Sequence, residues 1–284
     1  MILVTGSTGN VGSQLIPALR EAGERVRALV HDESKGQPLR DIGAEVVVGD
    51  MESPETLGKA VAGVDKVYLI TSGGQTGATQ ARSLIEAVKS VGRLPIVRQT
   101  GFGSSKSRII QQHEEIEKLL EASGLPYTLI KPTFFMQNMM MAAQTVASDG
   151  MVYMPFKNGR LGMIDVRDVV DVAFKVLTSA GHDGKTYVLT GPASISLHDV
   201  ADGLTKALGK QVTYVDVPPE AAREAIIGMG MPEWDADGYL ELFEGFSEGF
   251  ADMTTPHVER LTGHPARSFE TFARDFAQAF GGSA

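Results

Sequence analysis

Three glycines at fixed spacing, in Thr5-Gly6-Ser7-Thr8-Gly9-Asn10-Val11-Gly12, follow the apolar run Ile2-Leu3-Val4 and read T-G-x-x-G-x-x-G. A strand that turns sharply into a helix can grip a pyrophosphate. Gly6 permits the turn, Gly9 lets backbone N–H groups approach the phosphates at the positive helix end, and Gly12 allows close helix–sheet packing. No Gly-Lys-Ser/Thr follows, which sets a P-loop aside. The motif predicts dinucleotide binding by Gly6, Thr8, Gly9, Asn10, Val11 and Gly12. NAD sites hold the ribose 2′-hydroxyl with an acid at the end of the second strand, whereas NADP sites favour a cation for the 2′-phosphate. His31 holds that position and Lys35 follows, while Asp32 argues the other way. The expectation leans to NADPH, with NADH as the alternative. Asp50 and Met51, after the third strand, are expected on the adenine side, and Thr71, after the fourth, along the cofactor.

His113 and Glu117 stand at i, i+4 and share a helix face. One reading makes His113 a proton donor held protonated by Glu117; the other makes them a solvated surface pair. The run His113-Glu114-Glu115-Ile116-Glu117 matches a zinc H-E-x-x-H helix except at its last position, and the six histidines show no ligand spacing, so no metal is expected. A G-x-S-x-G nucleophile elbow is also missing. Phe134, Phe135, Met136 and Asn138, with Met139-Met140-Met141 behind them, are read as a soft apolar wall for a flat substrate, an ordinary core being the competing account. Tyr239, Leu242, Phe243, Phe246 and Phe250 recur at helical spacing, which suits a core stripe, a lid or a dimer contact.

The elements that must position these residues fit one class. The 284 residues can bury a large core, and no cysteine is available for disulfides, thiolate metal sites or a thiol nucleophile. Acids outnumber bases 35 to 26, a net charge of −9, so a nucleic-acid partner is not expected. The N-terminus lacks the parts of a signal peptide and no apolar run is long enough to span a bilayer, which together predict a soluble cytoplasmic protein.

Apolar strands are expected at Ile2–Val4, Arg25–Val30, Glu45–Val48, Lys66–Ile70, Pro95–Arg98, Tyr127–Lys131 and Lys185–Thr190. Helices are expected between them at Asn10–Ala22, with a kink at Pro17, and at Pro54–Val61, Gln80–Val91, Ser107–Ser123 and Asp165–Ser179. Strands spaced by helices make an α/β, Rossmann-type doubly wound parallel sheet. Beyond Asp149 the rhythm loosens around Pro192, Pro218, Pro219 and Pro232. The expectation is a dinucleotide-binding domain over 1–150 and a smaller C-terminal substrate-side lobe over 151–284 that partly completes the sheet.

The glycine motif resembles that of the NmrA-like atypical short-chain dehydrogenase/reductases. So do Val26-Arg27-Ala28-Leu29-Val30, Gly49-Asp50, Ser123-Gly124-Leu125-Pro126-Tyr127 through Lys131-Pro132, Ile164-Asp165-Val166-Arg167-Asp168-Val169, Thr190-Gly191-Pro192 and Leu261-Thr262-Gly263-His264-Pro265. Within that family the chain is similar to flavin-free NAD(P)H-dependent quinone reductases and azoreductases. The resemblance implies that Lys131 and Pro132 line the nicotinamide end. Short-chain dehydrogenases that oxidise alcohols use a Ser and a Tyr-x-x-x-Lys pair; here Thr100 takes the Ser position and His113 and Glu117 stand for Tyr and Lys. Alcohol dehydrogenation is therefore not expected. The resemblance implies direct hydride transfer, without flavin, to a small conjugated acceptor such as an azo compound or a quinone, and the apolar helical stripes permit a homodimer. The alternative it implies is a non-catalytic redox sensor that binds NAD(P) and regulates a protein partner.

Overall fold

The computed structural model describes residues 1–282. Its first half alternates β1 (Ile2–Val4), α1 (Gly12–Glu21), β2 (Val26–Val30), α2 (Gln37–Asp41), β3 (Glu45–Val48), α3 (Pro54–Val61), β4 (Lys66–Leu69), α4 (Gly77–Val91), β5 (Ile96–Gln99), α5 (Arg108–Ser123) and β6 (Tyr127–Pro132). The remainder is cut into shorter pieces: α6 (Ala143–Asp149), β7 (Met151–Met154), β8 (Arg160–Leu161), α7 (Val166–Thr178), β9 (Thr186–Leu189), β10 (Ile195–Ser196) and α8 (Leu197–Leu208). β11 (Thr213–Asp216), α9 (Pro219–Gly228), α10 (Glu233–Ser247), α11 (His257–Thr262) and α12 (Phe269–Asp275) complete it. The strands expected from the sequence are all present, each within a residue at either end. No helix among the described residues is long and apolar enough to cross a membrane.

Seven strands form one sheet in the order β3-β2-β1-β4-β5-β6-β9. The pairings from β3 to β6 are parallel, and the Leu129 N–H donates to the Lys185 carbonyl at 2.9 Å where the chain enters β9. Strand order reverses between β1 and β4, so the loops that follow these two strands part company at the carboxyl edge. In doubly wound sheets that is where ligands bind.

Local chemistry sets the element ends. Gly23, at φ +84°, closes α1, a conformation that would strain any side chain. Pro17 lies inside α1 without interrupting it, its ring exposed on the solvent side, so the helix absorbs the lost N–H where the sequence predicts a kink. Ser53 caps α3 with Pro54 in the first turn, and α9, without a side-chain cap, also starts with a proline, Pro219. α4 begins earlier than its apolar periodicity indicates, at Gly77.

Contacts divide the chain into two compact units that interleave along the sequence. One comprises residues 1–100, 112–131 and 169–187; the other comprises 101–111, 132–168 and Val188 onward. In the first unit, strand residues such as Leu3, Leu29, Val67 and Leu129 pack against Leu57, Leu84, Ile116 and Leu120 from helices. The second unit is built on aromatic rings: Phe156 lies 4.8 Å from Phe243 and 5.8 Å from both Phe134 and Phe246, centroid to centroid.

Phe156 is fully buried within this group. Phe156→Ala is expected to lower stability by about 3–5 kcal/mol, since the cavity would be walled by rings that cannot collapse into it. Urea unfolding read by far-UV circular dichroism measures the loss.

Candidate functional site

The first unit's site begins at the glycine turn. The Thr5 hydroxyl donates to the Ile70 carbonyl at 2.6 Å and accepts the Ile70 N–H at 2.8 Å, tying the ends of β1 and β4 together. Gly6 has φ +62°, and a Cβ there would lie 2.8 Å from the Ile70 side chain. A Cβ on Gly12 would come within 2.3 Å of the Gly6 carbonyl oxygen, so the helix can start this close to the turn only with glycine. Gly9 meets no protein atom closer than 3.4 Å at its Cβ position, leaving its backbone open to a ligand. Val11 precedes α1 without a side-chain cap, no acid occupies the first turn, and among the described residues the N–H groups of Asn10, Val11 and Gly12 make no hydrogen bond. Bare amides at a positive helix end, beside a cradle from which Cβ atoms are excluded, fit a pyrophosphate.

Farther along the edge, Asp32 is occupied locally. Its carboxylate accepts the Ser34 N–H at 2.9 Å and caps the short turn Glu33–Lys35, a bond that holds its pKa below the usual carboxylate value. His31 and Lys35 are exposed on either side of it. Asp50 accepts the Glu52 N–H at 2.8 Å, and Met51 is half-buried against the first unit's core. Both stand after β3, as the sequence expects.

At the carboxyl ends of β5 and β6 the geometry departs from expectation. Glu117 does not pair with His113. The Thr100 hydroxyl donates to its Oε1 at 2.8 Å, and Lys131 Nζ donates to its Oε2 at 2.9 Å. His113 instead meets Arg98, whose NH2 lies 3.3 Å from the ring Nδ1. Arg98 is 1% exposed and also donates to the Leu69 carbonyl at 3.1 Å and the Thr71 hydroxyl at 3.2 Å. Burial pulls the guanidinium down to about 10, which leaves it charged at neutral pH. Tyr68, also buried, donates to Gln99 Oε1 at 2.8 Å and is pushed up by burial, so it too stays protonated.

This network corrects the reading of His113. Burial, then the Arg98 and Lys131 cations, push its pKa down to about 3, although the ring is partly exposed. The imidazole is neutral at physiological pH and is not an imidazolium kept charged by Glu117. Nor are the two residues a solvated pair, since each is engaged by a different strand. Sequence reasoning missed Arg98, although a polar pair ending the otherwise apolar run Ile96-Val97-Arg98-Gln99 was a visible signal. It also missed Lys131 as the partner of Glu117.

The second unit corrects the expected substrate wall. Phe134 and Met136 are 4% and 1% exposed. The Phe134 ring stands edge-on to Phe156, Phe243 and Phe246, so both residues belong to the core. Phe135 and Asn138 are half-buried, the Asn138 N–H donating to the Phe135 carbonyl. Pro132 is buried, and its carbonyl accepts the Phe102 N–H at 3.0 Å. Leu242, Phe243 and Phe246 of α10 are buried in the same core, which settles that stripe as packing, while Phe250 lies beyond the helix end. An apolar pocket of about 310 Å³ opens between Met141, Tyr153, Met154, Ala225 and Met229. Soft methionines around such a volume suit a flat guest.

The model of the NmrA-like family matches residues 1–271. The chain is 38% identical over 284 residues to an NAD(P)H azoreductase of Xenophilus azovorans, covering 99% of each protein. It is 31% identical over 282 residues to a (4-alkanoyl-5-oxo-2,5-dihydrofuran-3-yl)methyl phosphate reductase of Streptomyces griseus, again covering 99% of each. Among solved structures it superposes on an NADPH-dependent quinone oxidoreductase of Escherichia coli in complex with NADPH, with a TM-score of 0.89 and 28% identity, covering 98% of this chain and 100% of that one.

A histidine with a depressed pKa gives stability a predictable slope. Unfolded, His113 would bind a proton near the ordinary histidine value, whereas folded it binds one only near 3. The unfolded state therefore takes up more protons between those limits, and the folded state loses stability as pH falls through that window. His113→Gln removes the titration. The wild-type minus variant difference in urea midpoint should become steadily less favourable to the wild type from about pH 7 down to about pH 4.

Proposed function

The chain belongs to the NmrA-like family, and on that premise we propose an NADPH-dependent reductase that passes hydride directly to electron-poor conjugated acceptors, azo compounds or quinones, without a flavin. The observation that carries this reading is the composition of the carboxyl edge in the first unit. Alcohol dehydrogenation needs a phenol to relay a proton and a cation to lower its pKa. Here Glu117 stands where that cation would be, and Lys131 is engaged by Glu117. Hydride addition to an electron-poor double bond has no such requirement. Relatives that reduce azo compounds, a dihydrofuranone and quinones fit the same chemistry.

The residues divide the task. Gly6, Thr8 and Gly9, with the free N–H groups of Asn10, Val11 and Gly12, hold the pyrophosphate. His31 and Lys35 face the 2′-phosphate, while Asp32 is turned by the Ser34 N–H toward capping its own turn. Asp50 and Met51 flank the adenine end. Thr71, fixed by Arg98, and Lys131 with Pro132, fixed through Glu117 and Thr100, border the nicotinamide end. The bound cofactor supplies the hydride, so that one acceptor takes two electrons and, with one proton from solvent, is reduced while the nicotinamide is left oxidised. Around that step the chain contributes orientation and a net positive edge, with Arg98 and Lys131 set against Glu117, which favours charge developing on the acceptor. Phe135 and Asn138 remain substrate-binding candidates in the second unit, with a small conjugated molecule as the partner.

Two measurements test the proposal. Purified protein without added flavin should oxidise NADPH rapidly and saturably with naphthol azo dyes or benzoquinones. Tight NADPH binding with no turnover across that panel would replace the enzyme by a dinucleotide-binding sensor. Lys35→Ala should raise the KM for NADPH by about tenfold, the weight of one exposed cation on a phosphate, while leaving that for NADH unchanged. Equal effects on both cofactors would remove Lys35 from the 2′-phosphate site.

A further inference from the structure

We infer that Arg98 is a positioning residue that fixes His113 as the neutral Nε2–H tautomer and turns that N–H outward as a permanent hydrogen-bond donor at the carboxyl edge. The inference rests on the proposed reductase reading for what the donor serves, and on geometry alone for its existence. A guanidinium has five donors and no acceptor. With its NH2 at 3.3 Å from His113 Nδ1, the contact is a hydrogen bond only if Nδ1 offers its lone pair, which leaves the ring proton on Nε2. A protonated ring would set N–H against N–H.

The surrounding charges agree with that arrangement. Of the charged groups around the ring, Arg98 from β5 touches it and Lys131 from β6 acts on it through its charge, while Glu117, from the same helix as His113, has its two oxygens taken by Thr100 and Lys131. Tyr68, from β4, a neutral phenol that donates to Gln99, faces Arg98 from the other side. His113 Nε2 takes no partner among the described residues. It is also not a buried orphan, because Arg98 Nε is the one buried side-chain polar atom without a partner among them. The Nε2–H of this half-buried ring therefore opens to solvent.

Arg98 itself calls for this explanation. A guanidinium without a carboxylate in contact, and with one N–H unmatched, is costly inside a sheet, and such groups persist where they hold something in place. It holds the Leu69 carbonyl, the Thr71 hydroxyl and the His113 ring together. A neutral N–H donor helps an acceptor that gains negative charge on hydride addition, and the solvent proton follows. Unlike an imidazolium, this donor does not vanish as pH rises.

Nitrogen NMR of ¹⁵N-histidine-labelled protein, free of cofactor and acceptor, reads the tautomer directly. His113, assigned by its loss in His113→Gln, should show an unprotonated Nδ1 and a protonated Nε2, unchanged from about pH 5 to about pH 9. Arg98→Met, checked for native circular dichroism, should release the ring to mix tautomers and to titrate closer to the ordinary value of about 6.5. Arg98→Lys keeps a donor and should restore the Nε2–H form, so the comparison survives even where the Met variant fails to fold. A protonated Nδ1, a titration inside that range in the wild type, or an Arg98→Met spectrum identical to wild type would overturn the inference. In turnover, His113→Ala should lower kcat at least about tenfold at unchanged NADPH affinity, whereas His113→Gln, which keeps an N–H near the Nε2 position, should recover most of it. Absent turnover in the wild type would sink the reductase reading and leave the tautomer result standing.

Discussion

A buried guanidinium without an ion-pair partner among the described residues is the constraint on which the first unit's site depends. Arg98 sits one residue before the end of β5, and its donors reach the end of β4, the loop residue Thr71 and the ring of His113 on α5. Two segments separated in sequence, the end of β4 with its loop and α5, are thereby held by one planar cation. A lysine could satisfy one of those acceptors but not fork between them. Aliphatic packing would leave the Thr71 hydroxyl and the His113 ring without this donor, at a cost comparable to a lost buried hydrogen bond. The usual remedy for a buried cation is a carboxylate. The nearest, Glu117, is already committed to Lys131 and Thr100.

That commitment decides the electrostatics of the edge. Two cations and one carboxylate leave a local positive excess in a chain whose net charge is −9. The excess acts in two directions at once. It drives protons off His113, and it attracts whatever electron density accumulates beside it. A site designed to strip a proton from an alcohol would place a base or a phenolate there. This one offers neutral and cationic donors, its one carboxylate being held by Lys131 and Thr100, which on the proposed reading suits charge developing on an acceptor.

Most of the fold was legible because its signals are local. Apolar runs bounded by glycine or proline located every strand of the sheet, and the glycine motif announced its own turn, with Gly6 and Gly12 required by contacts inside an eight-residue stretch. Site chemistry was legible only in part. The i, i+4 spacing put His113 and Glu117 on one face of α5, yet their partners come from β5 and β6, and helix periodicity carries no information about which strand a face meets. Arg98 and Lys131 decide both protonation and pairing, and they lie on the strands before and after α5 rather than on the helix itself. The stretch after Pro132 failed for a different reason. Phe134 and Met136 are the residue types that line an apolar pocket and equally those that fill a core. Only the arrival of Phe156, Phe243 and Phe246 from later segments decides which of the two they do.

The replacement of a Tyr-x-x-x-Lys pair by His113 and Glu117 can now be read as a rearrangement of charge rather than a loss of function. In the alcohol chemistry, the lysine one turn along the helix lowers a phenol's pKa so that it can accept a proton. Here the cation comes from β6, and a carboxylate has moved into the helical position to hold it. The other helical position is occupied by an imidazole facing a second cation from β5. Each change favours the neutral, donating state of the groups at the edge. On the proposed reading, a catalyst with these groups gives up the ability to remove a proton from substrate and retains the ability to stabilise negative charge. Oxidation of an alcohol needs the first, and reduction of a conjugated acceptor needs the second.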